Sequence, residues 1–202
     1  MNKRKPKSVN ALEELGLNRL SRSFCMRDFL YSEVSDFYGV PNIPDDPDLA
    51  IASGRKLCTE LLEPLIAVFG PVTIVSGYRS PEVNDLCNKK RLNCASNEKN
   101  YAGHIWDRKD SEGNMGATAS IIVHTLTDQD GGWQSLAWWI HDHLPYHSLQ
   151  FFKGGGFNIQ WRENPEGKIY SYIEPKGYLT RAGMENFEGD HSNHYNGSPD
   201  YP

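Results

Sequence analysis

Apolar residues recur at helical spacing over residues 48–70, which predicts one long amphipathic helix. The residues of this apolar stripe are Leu49, Ile51, Leu57, Leu61, Leu65 and Val68. Asp48 is a suitable N-cap for the helix, and Gly70 is a suitable residue to end it. A second amphipathic helix is predicted over residues 131–144. Its apolar face consists of Trp133, Leu136, Ala137, Ile140 and Leu144.

Shorter apolar runs predict the strands. Residues 71–80 are typical of a buried strand followed by a turn, and residues 118–126 are typical of another strand. Residues 147–163 and 168–175 have the pattern of paired strands around turns. Between these segments, Ser80 and Pro81 are typical of the cap and first turn of a third helix. Because helices come first and strands cluster late, the sequence predicts an α+β fold rather than a parallel α/β sheet.

Length and charge divide the chain into a central domain and two unlike ends. The 202 residues suffice for one domain, predicted to span residues 21–175. Residues 1–20 are expected to form a basic arm, and residues 176–202 are expected to form a polar tail rich in Gly, Pro and Asn. We expect both ends to be mobile in the isolated chain and to become ordered against other protein subunits of a larger assembly.

Charge and hydropathy exclude several kinds of partner. The net charge of −5 gives no general attraction to nucleic acid. No apolar run approaches the roughly 20 residues that span a bilayer, so no membrane span is predicted. The basic start lacks the continuous apolar segment of a signal peptide, so we expect a protein that is made in the cytoplasm.

The cysteines predict free thiols rather than a disulfide framework or a metal site. Cys25, Cys58, Cys87 and Cys94 are few for a chain of this length, and the last two do not have the spacing of a zinc knuckle. Cys58 follows the apolar stripe of the long helix, where a thiol packs as a small hydrophobic group. All four are therefore expected to be reduced.

A motif in the segment 62–84 connects the chain to a known family. Its residues are Leu62, Pro64, Phe69, Gly70, Val72, Ile74, Ser76, Gly77, Tyr78, Arg79, Ser80, Pro81 and Asn84. This pattern resembles the zinc D-Ala-D-Ala carboxypeptidases of peptidase family M15, and the resemblance covers about residues 23–163. It implies the hedgehog/DD-peptidase fold, with a small, mostly antiparallel sheet flanked by helices. It also implies that Tyr78, Arg79 and Asn84 belong to the substrate cleft, where the alternative for Arg79 is a structural role in the turn.

The zinc ligands of that family are largely missing from this sequence. The family holds zinc with two histidines and an aspartate, and a carboxylate near the second histidine acts as general base. His104 corresponds to the first histidine, Ser120 stands at the aspartate position, and Asn158 or Gln160 stands at the second histidine. Eleven residues separate His104 from Gly116, where the family has a much shorter spacing. No cofactor is therefore expected, with zinc as the alternative.

Other groupings of histidines and acids are candidates for a replacement metal site. His104, Asp107 and Asp110 form a rearranged-site candidate, against an ordered loop in which the acids pair with Arg or Lys. His141 and His143 are predicted to point to different sides of their helix. His191 and His194, with no helix predicted around them, are expected to belong to a solvated tail. The aromatic pairs Trp138-Trp139 and Phe151-Phe152 are expected to be core or interface residues first, with a sugar platform as the second interpretation.

These departures favour a protein that kept a peptidase-like shape and lost the chemistry. The resemblance implies a non-catalytic structural or interaction component, expected in a bacteriophage virion as part of the tail or baseplate. Two alternatives stay open: an active zinc peptidase that cleaves peptidoglycan peptides, and a module with the same fold that binds peptidoglycan.

Overall fold

A six-stranded, mostly antiparallel sheet organises the protein in the computed structural model, which describes residues 5–124 and 132–195. The strands are β1 Val72–Ser76, β2 Gly116–Val123, β3 Ser148–Phe151, β4 Gly156–Arg162, β5 Lys168–Ser171 and β6 Gly177–Thr180. Their order across the sheet is β1-β2-β4-β3-β5-β6, and β3 with β5 is the parallel pair. The α+β class and the mostly antiparallel sheet are therefore confirmed. Residues 125 and 126 of the strand predicted over 118–126 lie outside the described residues.

Helices precede, interrupt and cover this sheet. They are α1 Val9–Gly16, α2 Glu33–Tyr38, α3 Pro47–Leu57, α4 Glu63–Phe69, α5 Pro81–Lys89, α6 Asn97–Asn100 and α7 Gly132–His143. A π-helical segment, Cys58–Leu62, joins α3 to α4, and short 3₁₀ turns span Met26–Phe29 and Ser192–His194. Within the part of the chain that the structure describes, no helix is long and apolar enough to cross a membrane.

The predicted long helix is present, with one correction at its start. Asp46 is the N-cap, since its side chain accepts from the Leu49 N–H, and Asp48 lies in the first turn. The helix ends where Gly70 takes a φ of 78°, as expected for a glycine stop. The π-helical segment has a local cause: Pro64 has no N–H to donate to the preceding turn, and its ring clashes with the carbonyl there.

The two faces of the sheet differ because its strands alternate apolar and polar side chains. One face packs against α3, α4 and α7 in the main core, where Phe69 meets Trp139 edge to face at 4.9 Å. Residues of β2 and β4 that point into this core include Ala119, Ile121 and Ile159, all fully buried. The opposite face carries polar side chains and forms the floor of a cleft.

The described portions of the expected arm and tail are parts of the domain rather than separate ends. Leu15 of α1 and Leu20 are buried in the core, and β6, which begins after residue 176, is the edge strand of the sheet. The boundaries expected after residues 20 and 175 therefore do not separate independent segments. These ends are polar in overall composition, but a few apolar residues in them, such as Leu15 and Leu20, pack into the core. Residues 1–4 and 196–202 lie outside the described residues.

The prediction of four free cysteines is wrong for one pair. Cys87 and Cys94 are joined by a disulfide, with Cα atoms 5.7 Å apart. After α5 the chain turns back through Arg91 and Asn93, which have φ values of 56° and 62°, and this reversal brings Cys94 back to the helix. Local spacing gives no sign of such a reversal.

The other two cysteines are free, as predicted. Cys58 is fully buried among the apolar side chains of the core, and this burial raises the pKa of its thiol. The expectation that Cys58 packs as a small hydrophobic group is confirmed.

Candidate functional site

The polar face of the sheet forms the floor of a cleft of about 920 Å³. Six polar side chains make this floor: Thr118, Ser120, Ser148, Gln150, Asn158 and Gln160. One wall is the loop around Cys94, which the disulfide ties to α5. Another wall contains His104, and Arg79 lies at the turn after β1. Among the described residues, the lining contains Arg79, Lys99 and Arg162 but no Asp or Glu, so the charge that lines the cleft is positive.

The side chains of the floor form two ordered hydrogen-bonded chains. The Ser120 hydroxyl donates to Asn158 Oδ1 at 2.6 Å, and Asn158 Nδ2 donates to Gln150 Oε1 at 3.1 Å. Next to them, the Ser148 hydroxyl donates to Gln160 Oε1 at 2.8 Å, and Gln160 Nε2 donates to the Ala102 carbonyl at 2.8 Å. These bonds fix which amide atoms face the cleft, so the floor is a rigid neutral surface.

His104 is held as a neutral imidazole at the wall of the cleft. Its Nδ1 lies 2.8 Å from the Gly77 carbonyl oxygen, which can only accept, so Nδ1 carries the proton. Nε2 is then an acceptor, and it has no hydrogen-bond partner among the described residues. Burial, with a contribution from the charge of Arg79, lowers the pKa of His104 to about 3. The ring therefore stays uncharged at physiological pH.

Glycine at position 77 lets the turn after β1 pack closely against Phe29. A Cβ on Gly77 would lie 2.7 Å from the Phe29 Cβ, which is too close for any other residue. Tyr78 N–H donates to the Phe29 carbonyl at 2.9 Å, and Arg79 N–H donates to the His104 carbonyl at 2.8 Å. The turn after β1 is thus tied both to the core and to the wall of the cleft.

Arg79 places a largely desolvated guanidinium in the cleft. Its Nη1 lies 3.1 Å from Cys94 Sγ, and its Nη2 donates to the Ser76 hydroxyl at 3.3 Å. Burial lowers the pKa of this group, with Glu33 acting on it only at longer range, but a guanidinium remains protonated in proteins. No described carboxylate forms an ion pair with it. A cation held by neutral neighbours is suited to an incoming anion.

Two other residues expected in the substrate cleft lie elsewhere. Tyr78 is fully buried and contacts the Trp106 ring edge to face, with its pKa raised by burial and then by the charge of Asp107. Asn84 is also fully buried, where it donates to the Ala95 carbonyl at 3.1 Å and accepts from Asn100 Nδ2 at 2.8 Å. Asn84 therefore positions the wall of the cleft, and neither Tyr78 nor Asn84 is among the described residues that line it.

The rearranged metal site is not formed, because its carboxylates make other contacts. Asp107 Oδ2 accepts from the Asp45 N–H at 2.7 Å and pairs with Arg108 Nη1 at 3.1 Å. Asp110 accepts from backbone N–H groups of its own turn and pairs with Arg162 Nη1 at 3.3 Å. Neither joins His104. Across residues 5–124 and 132–195, no three His, Cys, Asp or Glu side chains lie where they would hold one metal ion.

The three residues that the sequence motif places at zinc-ligand positions lie together in the cleft. His104, Ser120 and Asn158 all line it, and Ser120 lies directly opposite Asn158 in the sheet register. These residues do not fit zinc, since two of the three are neutral oxygen groups already bonded to each other. The three residues therefore share one place in the fold, and its chemistry is that of a polar surface.

The histidines near the C-terminus form a packed cluster that sequence reasoning missed. His191 is buried, stacks on the Trp138 ring at 4.4 Å, and places Nδ1 2.6 Å from Asp142 Oδ1. The expectation of a solvated tail is therefore wrong for His191. His141 uses both ring nitrogens, with Tyr146 and with the Phe187 carbonyl. His191 and Asp142 lie 49 residues apart along the chain, so no local sequence pattern predicts their contact.

Comparison with protein-family models, with curated proteins and with solved structures identified no match to this chain. The interpretation of the cleft therefore depends on its own geometry and on the motif around Arg79. That geometry consists of a half-buried cation, a neutral imidazole and an amide-rich floor.

Proposed function

We propose that this chain is a non-catalytic domain of the peptidase family M15 type, with the hedgehog/DD-peptidase fold, whose cleft binds a ligand without cleaving it. The observation that carries the proposal is the meeting of Arg79 and His104 in one cleft with Ser120 hydrogen-bonded to Asn158. The first two residues keep the binding features expected from the motif. The last two replace the zinc ligands by a neutral pair.

The chemistry of hydrolysis has no support in the residues of the cleft. Activation of water by zinc needs three anchoring ligands and an open position, and here a single imidazole is present. A general base is needed as well, and the described lining holds no carboxylate. His104, with a pKa lowered to about 3, is a weak base.

Binding of a carboxylate is supported by the state of Arg79. Its guanidinium is desolvated, positively charged and held by neutral groups, so a ligand carboxylate would gain a short charge-assisted bond there. The polar floor next to it offers amide and hydroxyl groups to a peptide backbone. A peptidoglycan stem peptide, with a free C-terminal carboxylate, has both features.

The setting that we propose is a virion, in which the domain is a structural or interaction component of a bacteriophage tail or baseplate. This part comes from the resemblance to family M15. Mass spectrometry of purified particles tests it. We expect the chain to be present at a fixed copy number per virion. Its absence from the particles would contradict the proposed setting.

Calorimetry with a stem tetrapeptide that ends in D-alanine tests the binding function. The wild-type protein should bind the peptide, and Arg79→Ala should weaken binding about tenfold or more. Arg22→Ala is the matched control, because Arg22 is exposed and lies outside the cleft. Equal binding by all three proteins, or none by the wild type, would contradict the proposal. Zinc-dependent release of D-alanine would establish the peptidase alternative instead.

A further inference from the structure

One row of side chains crosses the polar face of the sheet, from the cleft to the far edge. Ser120 lies opposite Asn158, Asn158 opposite Gln150, Gln150 beside Tyr170, and Tyr170 opposite Tyr178. The row spans β2, β4, β3, β5 and β6 and therefore four strand spacings, or about 19 Å. Its first half is the amide and hydroxyl floor of the cleft, and its second half is aromatic.

The aromatic half is a group of four rings that we call the aromatic strip: Phe152, Tyr170, Tyr172 and Tyr178. Phe152 stacks on Tyr172, with ring centroids 5.3 Å apart and planes 10° apart. Tyr170 meets Tyr172 at 4.9 Å and Tyr178 at 5.2 Å. Phe152 and Tyr172 also line the cleft, so the strip and the cleft form one continuous surface.

The strip is held in place and remains open to ligand. Tyr172 and Tyr178 are each 44% exposed, which is unusual for two large rings that contact the same neighbour. Ring-to-ring contacts within the strip fix the orientation of these side chains, so little side-chain entropy is lost when a ligand covers them. An open, ordered aromatic surface that continues a polar cleft is typical of a binding site.

The charges around the strip favour a neutral ligand. Lys168 Nζ lies 2.6 Å from Glu166 Oε2, and Lys176 Nζ lies 3.5 Å from Glu174 Oε1. The Arg181 guanidinium lies 4.5 Å from the centre of the Tyr178 ring. Since these three cations already have partners, a polyphosphate backbone would gain less from them than from unpaired charges. Arg79, which forms no ion pair with a described carboxylate, is near the Ser120 end of the row.

We propose that the aromatic strip is a sugar-binding subsite, which takes a neutral pyranose unit of the same ligand whose carboxylate binds Arg79. The C–H face of a pyranose ring packs on an aromatic face, and its hydroxyl and acetamido groups bond to amides such as Gln150. A ligand that reaches both ends must extend over the row, and a sugar-bearing peptide does so where a dipeptide does not. This inference rests on the proposed function, and it adds the ligand's class and its direction in the cleft.

Isothermal titration calorimetry with three probes tests the subsite. The probes are N-acetylglucosaminyl-N-acetylmuramyl tetrapeptide, the same tetrapeptide without sugar, and chitotetraose. Tyr172→Ala should weaken binding of the sugar-bearing tetrapeptide roughly tenfold and leave the free tetrapeptide unchanged. Tyr172→Phe should retain the affinity for the sugar-bearing probe within about twofold, because the stacking surface is kept. Tyr31→Ala is the control, since Tyr31 is 57% exposed and lies outside the strip and the cleft.

The outcomes separate failure of this inference from failure of the proposed function. If the free tetrapeptide binds and Tyr172→Ala changes the affinity for both tetrapeptides by the same factor, the sugar subsite is refuted. The peptide-binding cleft is then still supported. If no probe binds the wild-type protein, both are refuted. Tight binding of a dT12 oligonucleotide that is lost in Tyr172→Ala, without binding of the sugar probes, would overturn the assignment in favour of single-stranded nucleic acid. A Tyr178→Ala variant repeats the test at the edge strand, should Tyr172→Ala fail to fold.

Discussion

The Ser120 hydroxyl donates a 2.6 Å hydrogen bond to Asn158 Oδ1, across two strands in direct register. In the alignment with family M15, these two positions would hold an aspartate and a histidine bound to zinc. The pair satisfies its own polar groups and continues through Gln150. A metal ion is not needed to hold β2 and β4 together at this point, because the strand pairing and these side chains already do so.

Restoring the ligands should create a zinc site. In a Ser120→Asp/Asn158→His variant, three ligand types of the family would surround the position next to His104, and zinc affinity should rise on the order of a hundredfold. Calorimetry with zinc chloride measures the change. The same double variant on a His104→Ala background should lose the gain.

A Ser120→Asp/Gln160→His variant distinguishes the two positions considered for the second histidine. Gln160 lies opposite Thr118 rather than Ser120 in the sheet register, so this variant should gain less zinc affinity than Ser120→Asp/Asn158→His. An equal or larger gain would show that the alignment of β4 is displaced by two residues.

Stability should fall in mild acid because of His104. Its folded pKa is lowered to about 3 by burial, against an ordinary value of 6.5, so the unfolded chain binds more protons between these two values. The stabilising effect of the neutral ring is complete above pH 6.5 and is lost as the pH falls towards 3. Between pH 7 and pH 5 the loss should be about 2 kcal/mol from this group.

Urea unfolding at a series of pH values measures that loss. His104→Asn keeps a donor for the Gly77 carbonyl and does not titrate, so its stability should vary less with pH. His147, whose pKa is lowered to about 4 by burial first and then by Arg162, contributes in the same direction and remains in both proteins. Identical pH profiles for the wild type and His104→Asn would contradict the assignment of a buried neutral ring.

The thiols should number two rather than four. After denaturation without reductant, Cys25 and Cys58 should react with a thiol reagent, while Cys87 and Cys94 stay paired. Reduction, or the variant Cys87→Ser/Cys94→Ser, should lower the free energy of unfolding by about 2 kcal/mol, because the closed loop is short. It should also weaken tetrapeptide binding, because Cys94 lines the cleft and contacts Arg79. Four reactive thiols in the protein as isolated would contradict the pairing.

The N-terminal helix should contribute to the stability of the domain. Leu15 is 4% exposed in the core, so Leu15→Ala should cost about 2–4 kcal/mol. Glu14→Ala, at an exposed position of the same helix, should have a small effect. Thermal unfolding compares the two. Equal melting temperatures would show that α1 is an independent arm.

The features of the fold that depend on residues close together in the sequence were predicted well from local sequence patterns. The long helix, its stop at Gly70, the Ser80 cap and the α+β class follow from periodicity and from residues with one dominant local role. The sequence motif also predicts that His104, Ser120 and Asn158 belong together, and in the structure all three line one cleft. Their correspondence to zinc ligands stays a prediction.

What sequence reasoning missed depends on contacts between distant residues. Asp107 is a candidate metal ligand by sequence, but it accepts hydrogen bonds from backbone N–H groups 61 and 62 residues earlier in the chain. The packing of His191 against Trp138 and Asp142 is likewise a contact between residues that are distant along the chain. The aromatic strip is a further example, because Phe152 and Tyr178 become neighbours of the cleft only through the strand order.

The central claim is that the cleft binds a carboxylate-bearing cell-wall peptide and does not cleave it. Proton NMR of the stem tetrapeptide, mixed with the wild-type protein in the presence of zinc, observes both events in one sample. We predict broadened or shifted peptide resonances that return to their free positions with Arg79→Ala, and no free D-alanine over the course of the experiment. Free D-alanine that accumulates with the wild-type protein and not with His104→Ala would contradict the account.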